Sequence, residues 1–187
     1  RAENILGPTP IERDSIAWVE YDPSGYYSIV VGRRDESKIL GRSVLSRRII
    51  GEQIHGLAWD NTTRKLYFIG LDDDGMYLGA VDHNGASEQL TQAAYVTLSD
   101  LRAEGGRLYF GSIRSGRDEA HTFDLTTGRE WQLTVSEYGS FDPAPAGDKL
   151  LVTTYDEEGY LLATRPLASY HVREVELSKL PTEIDDP

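Results

Sequence analysis

The sequence predicts an all-β chain of four similar units, each of four short strands, and three observations carry the prediction. A motif recurs with its basic residue stepping by 42: Lys65-Leu66-Tyr67-Phe68, Arg107-Leu108-Tyr109-Phe110 and Lys149-Leu150-Leu151-Val152. Hairpin signals such as Asp74-Gly75 and Asn84-Gly85 punctuate the copies, because a two-residue turn that matches strand twist needs positive φ. The runs between these turns are rich in Tyr, Val, Ile, Leu and Phe, the residues that suit a pleated, half-buried surface. No window carries a helical stripe. The nearest candidate, Thr97 to Glu104, matches the first strand and following turn of the third copy instead.

The first copy has a longer spacer. Ser15 to Gly32 lies over Lys65 to Asp82 at a shift of 50, which places Gly25 on Gly75. Two steps of 42 carry Gly75 to Gly159, and the third copy turns at Ser115-Gly116-Arg117, one residue out of register. Residues 1 to 14 include Gly7-Pro8-Thr9-Pro10 and are expected to supply only a short first strand. Arg48-Ile49-Ile50 is the expected outer strand of that copy. In the second copy the strands are His55 to Trp59, Leu66 to Leu71, Met76 to Val81 and Glu88 to Thr91. Asn61-Thr62-Thr63, Asp72 to Gly75 and Asp82 to Gly85 are its turns. The fourth copy is expected to end on an outer strand near Val172 to Leu177, and Pro181 to Pro187 reads as a linker.

Four strands per repeat at this period is the arithmetic of a β-propeller blade. A lone blade cannot bury both faces, whereas neighbours stacked around an axis bury them mutually. A sandwich also uses short, evenly spaced strands, but it does not require them to resemble one another. The expected blades are 1–50, 51–92, 93–134 and 135–180, in one repeat domain, with 181–187 as linker.

Composition is that of an ordinary water-facing globular chain: 187 residues, 39% hydrophobic and 27% charged. No apolar stretch approaches membrane-spanning length. The first residue is Arg1 rather than Met, so the chain is expected to be a processed or excised piece. A net charge of −12, with scattered Lys and Arg, argues against nucleic acid as a partner. The absence of Cys removes disulfide frameworks, redox motifs and thiolate zinc sites.

Three elements make the repeat resemble the WD40-like propeller repeat of the TolB, tricorn and prolyl-oligopeptidase type. Gln89-Leu90-Thr91 and Gln132-Leu133-Thr134 match the outer strand that closes each blade in that family. Asp142 to Leu150 looks like its Ser-Pro-Asp-Gly-Lys turn with an insertion, and Tyr155 to Tyr160 resembles its Ser-Asp-Arg-x-Gly hairpin. The resemblance covers nearly the whole chain. It departs where Ala58-Trp59-Asp60 and Leu98-Ser99-Asp100 replace the usual turn, and in the first copy's outer strand. The family commonly has six or seven blades. The resemblance therefore implies an incomplete arc of a larger propeller, in an extracytoplasmic (periplasmic or cell-surface) bacterial protein. Such an arc would expose its end blades and self-associate or meet another domain.

The oligopeptidase relatives carry their catalytic triad on a separate domain, and no Gly-x-Ser-x-Gly elbow occurs here. His55, His83, His121 and His171 fall in different copies and layers, without metal-ligand spacing. His55, at the start of an inner strand, is the one expected to face a channel. Asp72-Asp73-Asp74-Gly75 lacks the helix-flanked loop and distant Glu of a calcium site, and a solvated hairpin tip accounts for it. Trp18, Trp59 and Trp131 lie within strand patterns, as core residues do.

One rim should collect the turns between second and third strands with the links between blades. It would hold Asp22, Asp72, Asp73, Asp74, Asp118, Glu119, Asp156, Glu157 and Glu158, with Tyr95 and Tyr138. Two readings stand: a docking rim for a basic protein or peptide, or hairpin tips that are acidic because they face water. The expected function is thus a non-catalytic interaction module without cofactor or metal. The alternative is the substrate-gating propeller of a peptidase-like enzyme whose catalytic domain lies outside this chain. A glycan-binding propeller is a third reading.

Overall fold

The computed structural model describes residues 4–12, 14–167 and 172–182. The described residues form sixteen strands and one short 3-10 turn, Leu177–Lys179. They divide into two compact units, Arg1–Ala93 and Ala94–Pro187.

The first unit holds two antiparallel meanders. One runs β1 (Asn4–Glu12), β2 (Ser15–Tyr21), β3 (Tyr27–Asp35) and β4 (Lys38–Arg47); the other β5 (Gln53–Asp60), β6 (Lys65–Asp72), β7 (Gly75–Val81) and β8 (Ser87–Gln89). Central strands are apolar on both faces, as strands covered on both sides are. Ala17, Val19 and Ile29 of the first sheet and Ile54, Leu66 and Phe68 of the second share one buried cluster. Two glycines fix how β6 and β7 pair. Phe68 lies opposite Gly79 and Tyr77 opposite Gly70, and each ring occupies the space that a Cβ on the facing glycine would take. The rings of Phe68 and Tyr77 meet edge to face, centroids 6.1 Å apart.

The second unit holds β9 (Leu98–Glu104), β10 (Arg107–Ser112), β11 (Glu119–Asp124) and β12 (Arg129–Gln132), then β13 (Ser140–Ala146), β14 (Lys149–Asp156), β15 (Gly159–Pro166) and β16 (Arg173–Val175). Its core gathers Tyr109, Ala120, Leu133, Leu150 and Val152. The turn glycines that the repeat aligns, Gly75 and Gly159, both have positive φ, 112° and 117°, which an L side chain rarely adopts.

Three expectations are corrected. β1 is not short: despite Pro8 and Pro10 it spans Asn4–Glu12, with register irregularities between Leu6 and Thr9 and between Pro10 and Glu12. An edge strand tolerates proline at such bulges. The first copy's outer strand is not Arg48-Ile49-Ile50 but β4, because β3 turns directly at Glu36-Ser37 and pairs Asp35 with Lys38. The strand expected to close the fourth copy is present as β16, but it pairs with β12 of the third. The second unit therefore has one five-stranded sheet, β16-β12-β11-β10-β9, and one three-stranded sheet, β13-β14-β15. Arg129 holds Glu174 through Nε at 2.6 Å and Nη2 at 2.9 Å at that junction, the two-pronged geometry that Arg offers a carboxylate.

Candidate partner-binding site

The acidic hairpins share a construction. The first Asp of each accepts the backbone N–H two residues on: Asp22 from Ser24 at 2.8 Å, Asp72 from Asp74 at 2.9 Å, Asp156 from Glu158 at 2.8 Å. These are Asx turns, so Asp22, Asp72 and Asp156 are half-buried and serve their own loops. Asp22 also pairs with Arg47 at 3.1 Å. Asp73, Asp74, Glu157 and Glu158 are exposed at the tips.

In the first unit the expected rim residues are Asp22, which is paired with Arg47, and Asp72, Asp73 and Asp74. The second unit gathers more. Tyr155 and Tyr160 face each other across the β14–β15 hairpin, with ring centroids 5.1 Å apart and tilted edge to face. Tyr138 meets Tyr155 at 6.4 Å and Phe141 meets Tyr160 at 6.3 Å in the same manner. Tyr138 is 51% exposed and Tyr160 73%. This aromatic group borders a cleft of about 520 Å³ whose lining includes Ser136, Glu137, Tyr138, Tyr155, Asp156 and Arg165. The negative charge of Glu137, with a hydrogen bond to it, raises the Tyr138 hydroxyl above the ordinary tyrosine range, and Asp156 adds to the effect. The cleft thus combines exposed π faces with a negative field, the combination that attracts ammonium and guanidinium groups.

The remaining expected residues are placed as follows. Glu119 is not on the rim: it is 1% exposed. It accepts the Thr134 hydroxyl at 2.6 Å, the Ser136 hydroxyl at 2.9 Å and the Ser136 N–H at 2.8 Å. As the first residue of β11 it points inward and anchors the link to β13. Asp118 is half-buried, and its carbonyl accepts the Ser140 N–H at 2.8 Å. Tyr95 is exposed, and its N–H donates to the Pro181 carbonyl at 2.8 Å. His55 is exposed at the irregularity between Ile54 and Gly56 in β5. His83 is exposed in the β7–β8 turn. His171 lies outside the described residues. Trp18 is buried, while Trp59 and Trp131 are half-buried.

Sequence reasoning missed a buried charged group in the second unit. The side chains of Arg114, Glu130 and His121 are fully buried. Arg114 Nη1 pairs with Glu130 Oε2, and His121 Nδ1 lies 2.9 Å from Glu130 Oε1. Burial lowers the Arg114 pKa against the opposing pull of Glu130. The imidazole stacks on Phe110 at 5.8 Å. Spacing gives no signal for this group: Ser87, the counterpart of Glu130 one copy earlier when the two Gln-Leu-Thr motifs are aligned, is exposed and uncharged. Among the described residues no group of three or more His, Asp or Glu could hold a metal ion. Among the described residues no helix is long and apolar enough to cross a membrane.

Solved structures share this arrangement of sheets. TolB from Acinetobacter baumannii superposes with a TM-score of 0.71 at 16% identity, over 98% of this chain and 45% of that one. A puromycin-hydrolyzing peptidase of Mycobacterium tuberculosis gives 0.71 at 16% identity, over 97% and 30%. Puromycin hydrolase, as an S511A mutant, gives 0.71 at 14%, over 94% and 30%. The chain has the β-propeller fold of TolB and the prolyl peptidases. This propeller segment spans less than half the length of each of those three chains. No protein-family model matches the sequence, and no curated protein matches it.

Proposed function

We propose that this chain is a non-catalytic propeller module of a larger extracytoplasmic bacterial protein, binding a basic protein or peptide. The observation that carries the reading is the exposed Tyr138–Tyr155–Tyr160 cluster bordered by Glu137, Asp156, Glu157 and Glu158. Exposed tyrosines supply rigid contact area at little entropic cost, and the surrounding carboxylates steer a cationic partner toward them. Asp73 and Asp74 of the first unit are proposed as a second acidic patch for the same class of partner. The end sheets, with exposed Ile5 and Leu6 on β1 and Leu162 on β15, are proposed to meet further protein.

The test is titration of the chain with Lys/Arg-rich and Asp/Glu-rich peptides of equal length, followed by NMR. Shifts at Tyr138, Tyr155 and Tyr160 with the basic peptide alone, weakening with salt, support the reading. Equal or absent response to both peptides overturns it. A second reading, a substrate-gating propeller, is favoured by the peptidases among the similar structures. A hydrolase domain in the same polypeptide, with turnover altered by substitutions at Tyr138, would favour it over the first.

A further inference from the structure

We propose that the cleft beside Tyr138 and Tyr155 takes the C-terminal end of a peptide, with a basic side chain against the two rings and the terminal carboxylate on Arg165. This rests on the reading above that the partner is a basic peptide, and adds which part of that peptide is read.

The cleft is polarised along β15. Its lining runs from Glu137, Tyr138, Tyr155 and Asp156 to Arg165. Tyr155 faces Tyr160 beside the hairpin tip, whereas Arg165 lies opposite Leu150 near the other end of the strand. At ~3.3 Å per residue, Tyr160 and Arg165 stand roughly 16 Å apart along the strand. Alternate residues of a strand share a face, so Leu161 and Ala163 lie between the two ends on the side that Arg165 takes, opposite Thr154 and Val152. The floor is therefore apolar: Val152 is buried, and Leu161 and Ala163 line the same cleft. Carboxylates and π faces stand at one end, a guanidinium at the other. The matching ligand carries a cation, an apolar segment and an anion in that order.

The guanidinium is free to receive that anion. Arg107, Arg114 and Arg129 of this unit each hold a carboxylate. Arg165 has neither a hydrogen bond nor an ion pair to its side chain among the described residues. Its planar fork suits a carboxylate.

The aromatic end is held in place before any ligand arrives. Arg117 Nη1 donates to the carbonyls of Ser136 and Glu137, both at 2.6 Å. The Gly139 N–H donates to the Ser136 hydroxyl at 2.9 Å, and that hydroxyl donates to buried Glu119. Glu137 and Tyr138 sit between these fixed points, so little ordering entropy is lost on binding.

A basic peptide carries an anion at its C-terminus whatever its sequence. An extended chain covers ~3.3–3.6 Å per residue, so the basic side chain belongs about three to five residues before the end, with an apolar residue between.

The test titrates acetyl-Lys-Gly-Leu-Gly-Leu, as the free acid and as the C-terminal amide, into the isotopically labelled chain by NMR. The amide carries more positive charge, so general attraction to the acidic end favours it. The expected result is the opposite: the free acid binds about fivefold more tightly and shifts both Tyr155 and Ala163. In Arg165→Gln the two forms bind alike, at the affinity of the amide for the natural chain. Arg165→Lys keeps part of the preference, because a point charge remains without the fork. Glu137→Gln weakens both forms alike and leaves their ratio unchanged. Equal binding of the two forms to the natural chain, tighter binding of the amide, or a preference that survives Arg165→Gln overturns the proposal and leaves the basic-peptide reading standing. Failure of both forms to bind overturns that reading together with the proposal.

Discussion

The hydroxyl of Thr134 donates to the buried carboxylate of Glu119 at 2.6 Å while accepting the Ala120 N–H at 2.9 Å. Thr91, one copy earlier, makes only the second kind of bond, to Leu78. Replacing a hydroxyl by a methyl leaves its buried partners unsatisfied, at about 1–3 kcal/mol for each. Thr134→Val should therefore lower unfolding free energy by about 3 kcal/mol and Thr91→Val by roughly half that. Urea melts of the two variants check the order; equal losses would remove Glu119 from the account.

Glu130 is the counter-charge of buried Arg114 and also holds His121. Removing one partner of a buried pair strands the other, at about 3–5 kcal/mol. Glu130→Gln is expected to cost that much. Arg114→Met combined with Glu130→Gln should recover much of the loss, because no buried charge remains. Thermal unfolding of the single and double variants measures the difference.

Asp100 and Asp142 occupy equivalent positions, both with positive φ, 55° and 49°. The charge of Asp100 raises the pKa of Asp142, with burial a smaller cause. A carboxyl whose folded pKa lies above its unfolded value contributes stability below the unfolded pKa and loses that contribution as pH rises through the folded one. At neutral pH the pair is thus repulsive. Asp142→Asn should stabilise by less than about 1 kcal/mol, since Asp142 is exposed to screening solvent. The gain should shrink below the ordinary Asp range and in high salt, which melting curves across pH would show.

At the proposed binding cleft, Tyr138→Ala should weaken a basic peptide about tenfold, the loss of one exposed aromatic contact. Glu157→Gln with Glu158→Gln should weaken it only about two- to fivefold and flatten its salt dependence. Calorimetric titration separates the two effects; a larger effect from the glutamates would make the site electrostatic rather than aromatic.

Much of the architecture was legible because repeats and turns are local facts. Gly75 and Gly159 were aligned by counting, and both turn as aligned. The Tyr155–Tyr160 pair was also within reach, since residues flanking a tight hairpin tip must face each other. What failed depends on contacts that spacing does not encode. Glu119 reads as part of an acidic turn, yet it begins β11 and points to Thr134 and Ser136. β16 lies where an outer strand was expected, but it pairs with β12 of the third copy, and strand order in the chain does not encode which edge it takes. Buried Glu130 takes the place that exposed Ser87 holds one copy earlier, so no rule applied to one copy can serve the other.

The rings of Phe68 and Tyr77, each resting on the glycine opposite, act as a key for strand alignment. Sliding β7 by two residues along β6 keeps every side chain on its proper face, the error that alternation alone cannot reject. It would bring Tyr77 or Val81 against Phe68 in place of Gly79, and the side chain would collide with the ring. Only one alignment closes, so the second sheet carries its own proofreading against slippage.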